Sequence, residues 1–446
     1  MDSMEKLFKS LSTYQIISLS FILMIFSGAL LLMLPFASQG ETALSFLDAL
    51  FTATSASCVT GLVVVDTGTY FTVFGQLVII LMIQLGGLGI MTFATLFSVA
   101  VGKKINLQER LRIQESLNQG EIHGVVSFCL RIVRLTFIIE FFFGTLLALR
   151  FIPLFGMRGI YYGYWHAISA FCNAGFDLMG NFNSFSSFAT DIPLNLVITS
   201  LIILGSTGFT VMSDVIYKPK FSALRLHSKI ALLTTLFLII VGTIGIYYME
   251  STNNLTIGGL TSGEKLLTSY FQAVTPRTAG FNTIPIENMR QSSLLLLIML
   301  MFIGASPAST GGGIKTTTFA VVILSIRNML HGNNDLVLFD RRIDNTFVYR
   351  AFVITVLAVT WIGVATLFIA YFEKAAFLHV LFEVVSAFAT VGLSTGLSRN
   401  LCAASKIVLI LTMFAGRVGI LTFALALTSR HRVGNVRYPK EKIMIG

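Results

Sequence analysis

Long apolar runs separated by short polar segments make up most of the chain, and their lengths predict membrane-spanning helices. Eight runs of roughly 20 residues or more carry few charges, namely Ile16–Leu34, Phe74–Val101, Val126–Ala148, Ile192–Val215, Ile230–Met249, Leu294–Ile326, Phe352–Tyr371 and Ile407–Thr428. An α-helix rises about 1.5 Å per residue, so each run can cross about 30 Å of hydrocarbon. Between the two runs of each successive pair lies a shorter apolar segment, which predicts a helix that crosses half of the bilayer.

Four short windows at the ends of these shorter segments share one pattern. Aligned on a glycine, each window has an aromatic residue ten positions earlier and Leu or Phe one position later, and three windows carry Ser-Ala at the same offset. The windows are Phe51–Leu62, Trp165–Phe176, Tyr270–Phe281 and Phe382–Leu393, aligned on Gly61, Gly175, Gly280 and Gly392. A pattern repeated at spacings of 114, 105 and 112 residues indicates four copies of one structural unit.

The repeat predicts the fold class. We expect an all-α membrane protein in which four pseudo-repeats of transmembrane helix, pore loop and transmembrane helix surround one central pore. The predicted repeats cover residues 1–101, 102–217, 218–330 and 331–428, and a cytoplasmic C-terminal tail follows at 429–446. In the third repeat we expect a broken inner helix.

Composition and charge support a membrane location and set the topology. Of the 446 residues, 55% are hydrophobic and 12% are charged, whereas a soluble domain has about 25% charged residues. Of the 31 Lys and Arg residues, 21 lie in the segments 1–15, 101–134, 213–229, 326–350 and 429–446, and the segment 36–72 has none. Basic loops are typically cytoplasmic, which places both termini inside and all four windows outside. The net charge of +10 therefore reflects topology rather than binding to nucleic acid.

The windows have the residues that a cation filter requires. A cation sheds its water only where oxygens replace its hydration shell, and rings of backbone carbonyls do this. Glycine permits left-handed backbone angles close to an ion. The candidate ligand layers are the backbone carbonyls of Cys58, Val59, Thr60, Gly61, Asn173, Ala174, Gly175, Thr278, Ala279, Gly280, Thr390, Val391 and Gly392. Alternatively, each glycine merely ends a short helix, but that interpretation explains one window well and four aligned windows poorly.

The third inner helix contains a run that cannot continue a helix, and it is the candidate gate. A proline and three consecutive glycines interrupt the apolar stretch, and irregular backbone at membrane depth is tolerated where it lines water or is buried in protein. The predicted gate comprises Gly304, Ala305, Ser306, Pro307, Ala308, Ser309, Thr310, Gly311, Gly312 and Gly313, with Lys315 and Arg417 beside it. A simple kink is the alternative. In the first two inner helices, the glycine pairs equally allow close helix packing.

The sequence leaves the roles of several charged residues open. Arg417 either faces the pore cavity and tunes cation passage or forms a structural ion pair, and Lys315 is similarly ambiguous. Four acidic residues near the outer mouth could concentrate cations: Asp48, Asp66, Asp177 and Glu383. Asp48 and Glu383 could instead brace the pore helices. We expect Arg277 to point back into the protein, and His166 to pack in a pore helix. The four cysteines, Cys58, Cys129, Cys172 and Cys402, are expected to be free, buried thiols.

The sequence does not favour an enzyme, and no catalytic residues are predicted. It contains no phosphate loop, HExxH or GxSxG motif in the required context. A membrane-embedded enzyme would need paired ionisable groups at membrane depth, and only Lys315 and Arg417 are identified there. A membrane scaffold would not need four aligned glycines.

The motifs together resemble the Trk/Ktr/HKT superfamily of potassium transporters, and most closely its bacterial Ktr membrane subunits (KtrB or KtrD). The resemblance covers nearly the whole chain. It is carried by the segments Cys58–Leu62, Phe171–Phe176, Gln272–Asn282 and Ser386–Leu393, by the glycine-rich break Gly304–Lys315 and by Gly416-Arg417.

The resemblance implies a function and partners. It implies K⁺ coordination by the carbonyls of Gly61, Gly175, Gly280 and Gly392, with a gate at the broken helix beside Arg417. It also implies a homodimer in the cell membrane with one pore per subunit. A cytosolic nucleotide-binding ring (KtrA- or KtrC-like) would regulate it, Na⁺ would stimulate it, and no covalent cofactor is expected. Some plant relatives have serine in the first window and prefer Na⁺, so glycine at position 61 favours K⁺. The alternative is a Na⁺-permeable or weakly selective cation pore.

Overall fold

The structure is a computed structural model that describes residues 12–40, 44–101, 105, 107–116, 124–333, 335–427 and 441. The predicted cytoplasmic tail at 429–446 lies outside the described residues, apart from residue 441. Within them the chain is mostly helical, and helices and loops recur four times in the order that the sequence predicts. The predicted all-α membrane fold class is confirmed.

Each repeat begins with a long apolar helix, here called the outer helix. The four outer helices are Thr13–Leu32, Val125–Phe155, Leu226–Glu250 and Asn345–Phe372. Each is long and apolar enough to cross a membrane. They leave many large apolar side chains exposed, for example Leu23, Phe141 and Leu367. Such a surface is typical of contact with lipid rather than water.

A shorter pore helix follows each outer helix and packs against it. The four pore helices are Phe46–Ser57, Arg158–Phe171, Ser262–Val274 and Phe377–Phe388. At about 1.5 Å per residue, helices of this length cross only part of the hydrocarbon layer. They form the centre of the protein, since Phe51, Trp165 and Phe382 near their midpoints are buried.

The inner helices close each repeat, and three of them are sharply bent. They consist of Val73–Leu88 with Ile90–Ala100, Ile192–Thr207 with Phe209–Tyr217, Gln291–Phe302 with Thr316–Leu330, and Ala403–Val418 with Ile420–Leu427. The bends at Gly89, Gly208 and Gly419 are 93°, 98° and 102°. These glycines have φ of +86°, +93° and +94°, which places them in a region that L-residues avoid.

The eight predicted runs are therefore not all continuous helices, and the third inner helix is not the only one that is interrupted. Three runs each divide into two helices at a glycine with positive φ; they are Phe74–Val101, Ile192–Val215 and Ile407–Thr428. The sequence does not show these breaks, because the apolar pattern continues through each bend. Among the described residues, four helices are long enough to span a membrane, or up to seven if each bent pair counts as one span. The third inner helix is not helical between Phe302 and Thr316.

Small elements lie between the longer helices, both within and between the repeats. The short helices are Thr67–Tyr70 and Leu107–Ser116, and five 3₁₀ turns are at Pro35–Ala37, Ser186–Phe188, Phe221–Ala223, Ile286–Asn288 and Leu397–Asn400. An antiparallel hairpin of β1 (Leu336–Leu338) and β2 (Arg341–Ile343) pairs Val337 with Arg342. Cys402, expected to be buried, is instead exposed, because it lies at the start of the helix Ala403–Val418.

Candidate ion pathway

The four window glycines lie together in a closed ring. A Cβ atom added to Gly61 would lie 2.5 Å from the carbonyl oxygen of Ala174 and 3.0 Å from the Cα of Gly175. The same collision recurs from each window to the next, and the fourth window returns to the first; the pairs are Gly175 with Ala279, Gly280 with Val391, and Gly392 with Thr60. The ring therefore has one glycine from each repeat, in chain order, with no room for side chains.

The backbone conformation of the windows is also repeated four times. The residues two positions before the glycines have φ between +51° and +64°; they are Val59, Asn173, Thr278 and Thr390. The glycines themselves have φ of +70° to +91°, while the residue between keeps a negative φ. Alternation of left- and right-handed angles turns successive carbonyls towards one side of a chain. Four such segments around one axis can supply layers of oxygen ligands.

Hydroxyl side chains at the ends of the pore helices hold the windows in place. In the first and fourth windows, Ser55 and Ser386 accept hydrogen bonds of 3.1 Å from the N–H groups of Gly61 and Gly392. In the second window, Ser169 donates to the carbonyl of Phe176 at 2.7 Å. The third window lacks this serine, and Thr275 donates to the carbonyl of Phe281 at 2.5 Å instead. The recurring Ser-Ala of the sequence therefore fixes the loop.

The glycine pairs of the inner helices serve close packing. An added Cβ at Gly86, Gly205 or Gly416 would overlap the last carbonyl of the pore helix in the same repeat, at Ser57, Phe171 and Phe388 respectively. All three carbonyls belong to residues four positions before a window glycine. The packing interpretation of these glycines, left open by the sequence, is the one that the contacts support.

The segment 303–315 of the third repeat lies directly against the inner ends of the windows, and we call it the gate loop. Its ends are joined by a hydrogen bond of 2.8 Å from the Gly304 N–H to the Ile314 carbonyl. Its middle is bonded to the second repeat, where the Ser306 N–H donates to the Ser206 carbonyl at 2.9 Å. Away from the windows it borders a cavity of about 1100 Å³ that also contacts the bends at Gly89 and Gly419. The interruption is thus a folded loop rather than a simple kink.

Both basic residues near the gate loop donate to its carbonyls. Arg417 donates to Thr310 of the loop, and also to Gly86 and, at 2.9 Å, to Gly87 of the first inner helix. Lys315 donates to the Gly311 carbonyl at 2.7 Å. Neither has a carboxylate within 4.0 Å in the part of the chain that the structure describes. Arg417 therefore ties the gate loop to the first inner helix rather than forming an ion pair.

Comparison with known proteins agrees with this arrangement. Residues 2–436 match the sequence model of TrkH, described as a cation transport protein. The chain belongs to the TrkH family. It is 44% identical, over 97% of this chain and 96% of the relative, to the Ktr system potassium uptake protein B of Bacillus subtilis (strain 168). It is 38% identical, over 98% of each chain, to the potassium/sodium uptake protein NtpJ of Enterococcus hirae.

A solved structure shows the same fold. The potassium transporter TrkH from Vibrio parahaemolyticus matches with a TM-score of 0.73 and 18% identity, covering 93% of this chain and 84% of that chain. TrkH-family proteins are transporters rather than enzymes. This agrees with the interpretation of the sequence as a multi-pass membrane transporter.

The acidic residues at the outer mouth of this TrkH-family chain are engaged within the protein. Asp48 pairs with Lys406 at 2.5 Å, which joins the first pore helix to the fourth inner helix. Glu383 accepts hydrogen bonds from Ser394 and Thr395 at 2.5 and 3.0 Å. The bracing interpretation therefore applies to Asp48 and Glu383. Asp66 caps a short helix and accepts from the N–H of Phe182 at 2.7 Å.

Asp177, two residues after Gly175, is an acidic group whose charge depends on pH near neutrality. Burial raises the pKa of Asp177 to about 7, the Met179 N–H opposes this shift, and the nearby Asp66 adds to it. A raised pKa means that the carboxyl loses its proton as pH rises through about 7. The mouth of the filter therefore gains one negative charge between about pH 6 and pH 8.

We predict that the KM for the transported cation falls by up to about fivefold from pH 6 to pH 8, since one added negative charge near a solvated cation path contributes about 1 kcal/mol or less. Asp177→Asn removes this titrating group and should reduce the dependence of KM on pH over this range. Initial uptake rates at both pH values measure the effect. An Asn variant with the wild-type pH dependence would rule out Asp177 as its source.

Arg277 and His166 are buried residues of the third and second windows. Arg277 is 2% exposed, so it points into the protein as expected. Its carbonyl accepts from the Asn173 side chain at 2.9 Å, whereas its guanidinium nitrogens have no hydrogen-bond partner among the described residues. His166 is buried and accepts from the Leu178 N–H at 3.1 Å through Nε2. His166 therefore fixes the backbone that follows the second window, in addition to packing in the pore helix.

Sequence reasoning missed a buried carboxylate at membrane depth. Glu140, in the second outer helix, is 4% exposed and accepts from Gln84 at 3.1 Å. Gln84 in turn accepts from the Cys172 thiol at 3.3 Å, beside the second window. The statement that only Lys315 and Arg417 are ionisable at this depth is therefore wrong. A carboxylate inside the predicted span Val126–Ala148 was the available signal.

Proposed function

We propose that this chain is the pore-forming subunit of a potassium uptake system in the cell membrane. The observation that carries the proposal is the closed ring of Gly61, Gly175, Gly280 and Gly392, with one member from each repeat. The relatives described as potassium uptake proteins support the choice of cation. Water-filled space on both sides would feed K⁺ through this ring, and the chain needs no catalytic residue to move it.

The mechanism rests on replacement of the hydration shell. Carbonyls of the windows, from the layers at Cys58 to Gly61 and their counterparts in the other repeats, take the place of water around K⁺. The four pore helices end four to six residues before the window glycines, and the negative end of a helix dipole favours a cation. The carbonyls repel one another when no cation lies between them, and the packing of each of the four repeats holds its own window in position.

Selectivity for K⁺ over Na⁺ is the finer part of the proposal. Glycine at all four ring positions supports a uniform ring of carbonyls, without a side-chain oxygen that would suit a smaller ion. A relative described as a potassium/sodium uptake protein keeps the Na⁺-permeable pore as the second candidate. Competing uptake of K⁺ and Na⁺ by the wild-type chain, in cells without their own potassium systems, separates the two. K⁺ entry that excess Na⁺ does not reduce supports K⁺ selectivity, and comparable Na⁺ entry supports the alternative.

The gate loop is the proposed barrier to K⁺. The loop includes the predicted gate residues Gly304–Gly313 and Lys315, and it lies between the windows and the cavity. Arg417 holds Thr310 of this loop to the first inner helix, so opening requires those hydrogen bonds to break or to move.

Regulation and assembly follow from the resemblance to Ktr systems. We propose a homodimer with one pore in each subunit, both termini in the cytoplasm and Na⁺ as an activator. A cytosolic nucleotide-binding ring of the KtrA or KtrC type would contact the loops 101–125 and 213–229 and the cytoplasmic end of the broken helix. The excess of Lys and Arg in these loops supports the choice of side.

Cross-linking tests the position of the ring. In a Cys402→Ser background, which removes the exposed native thiol, we expect Lys218→Cys to be captured by a bifunctional reagent on a co-expressed ring. Gln39→Cys, exposed in the segment 36–72, is the matched control and should not be captured. Capture through position 39 instead of 218 would reverse the proposed topology.

A further inference from the structure

Four equivalent residues lie at the inner end of the ring, and the three with polar side chains are the ones that contact the gate loop. Val59, Asn173, Thr278 and Thr390 each lie two positions before a window glycine and are fully buried. Three of the four have polar side chains, and the apolar one belongs to the first window. The left-handed backbone that they share costs a non-glycine residue about 1–2 kcal/mol, so the surrounding contacts hold it in place.

Three consecutive residues of the gate loop contact the three polar members in order. The Thr310 hydroxyl lies 3.3 Å from Oδ1 of Asn173. Gly311 fits so closely against Thr278 that an added Cβ would overlap its Oγ1. The Gly312 N–H donates to Oγ1 of Thr390 at 3.0 Å. The loop thus follows the curve of the ring from the second window to the fourth.

Asn173 joins the first two of these contacts. Its Nδ2 donates to the Arg277 carbonyl at 2.9 Å and lies 3.3 Å from the Thr278 hydroxyl. The Thr310 hydroxyl, with one proton to donate, also lies within reach of the carbonyls of Phe171 and Gly205, at 3.2 and 3.1 Å. The second window, the third window and the loop therefore share one hydrogen-bond network.

The glycines of the loop are required by this close fit. An added Cβ at Gly312 would lie 2.8 Å from Cγ2 of Thr390, and one at Gly313 would lie 3.1 Å from the Cα of Ala389. Side chains at these positions would lift the loop from the ring. The glycine run thus provides a contact surface as well as conformational freedom.

We infer that Asn173 and Thr390 are positioning residues that seat the closed gate loop on the inner end of the filter. This inference rests on the proposed function and names the regulation of the same site. The loop leaves its seat only when the Gly312 N–H releases Thr390 and the Thr310 hydroxyl releases Asn173. Because those two residues also form the inner layer of the filter, a cation or water in that layer and the seated loop influence each other reciprocally.

The test is K⁺ uptake by Thr390→Val, which keeps the shape of the side chain and removes the acceptor for Gly312. We expect uptake to rise by about fivefold, because loss of one hydrogen bond in the closed state shifts the closed–open equilibrium by about that factor. Thr390→Ser keeps the hydroxyl and should restore wild-type uptake. Thr366→Val, the same change at a buried threonine of the fourth outer helix, is the matched control and should have no effect.

A second background separates the seat from the filter. In a chain without Gly311–Gly313, Thr390 has lost its partner, so Thr390→Val should add nothing. An equal increase in both backgrounds, or no increase in the full-length chain, would overturn the inference while leaving the proposed transport intact. If wild type moves no K⁺, the proposed function itself fails. If Thr390→Val does not reach the membrane, Thr310→Val against Thr310→Ser decides, and equal uptake by these two variants overturns the inference.

Discussion

Gly61→Ser is expected to lower the preference for K⁺ over Na⁺ by about tenfold or more. The new Cβ would lie 2.5 Å from the Ala174 carbonyl oxygen, so this candidate ligand has to move. The φ of +89° at Gly61 costs a serine about 1–2 kcal/mol in addition, and 1.4 kcal/mol corresponds to about a tenfold change in an equilibrium. Initial uptake of K⁺ and Na⁺ in cells without their own potassium systems measures the ratio.

The control for this substitution is Gly363→Ser in the fourth outer helix. Nothing lies within 4 Å of a Cβ at Gly363, so the variant should behave as wild type. If Gly61→Ser also keeps the wild-type ratio, Gly61 does not line the ion path and the alignment of the four windows is wrong.

Deletion of Gly311–Gly313 is expected to raise K⁺ flux several-fold. The three residues lie against Thr278, Thr390 and Ala389 at the inner end of the ring, and the shortened loop cannot reach all of these seats. Loss of the bond from Lys315 to the Gly311 carbonyl loosens the loop further. Flux per molecule is measured as uptake normalised to the amount of protein in the membrane. Unchanged or lost transport by a well-expressed deletion variant would contradict the role of the loop as a barrier.

The repeated windows show which parts of the fold can be predicted from the sequence. A ten-residue offset between an aromatic residue and a glycine, kept four times, predicts the all-α fold with four pore loops, since local patterning and repetition are both visible in one sequence. The same pattern includes the serines that hold the loops, although their hydrogen bonds to Gly61 and Gly392 become evident only in three dimensions.

Other features have no local signature. The bends at Gly89, Gly208 and Gly419 lie inside continuous apolar runs, where a glycine is equally compatible with a straight helix. The contact of Thr310 with Asn173 spans 137 residues of sequence, so no periodicity predicts it. The cost of Arg417 at membrane depth is evident from the sequence, but its carbonyl partners Gly86 and Gly87 depend on how the repeats pack. Glu140 has a local signature, because it is a charged residue within an apolar run.

The most direct test of the central claim is an anomalous diffraction map of the protein with Tl⁺ or Rb⁺ in place of K⁺. The account predicts a peak on the axis of the ring formed by Gly61, Gly175, Gly280 and Gly392, coordinated by carbonyl oxygens from all four windows. Peaks only outside this ring, in protein that still transports the ion, would contradict it.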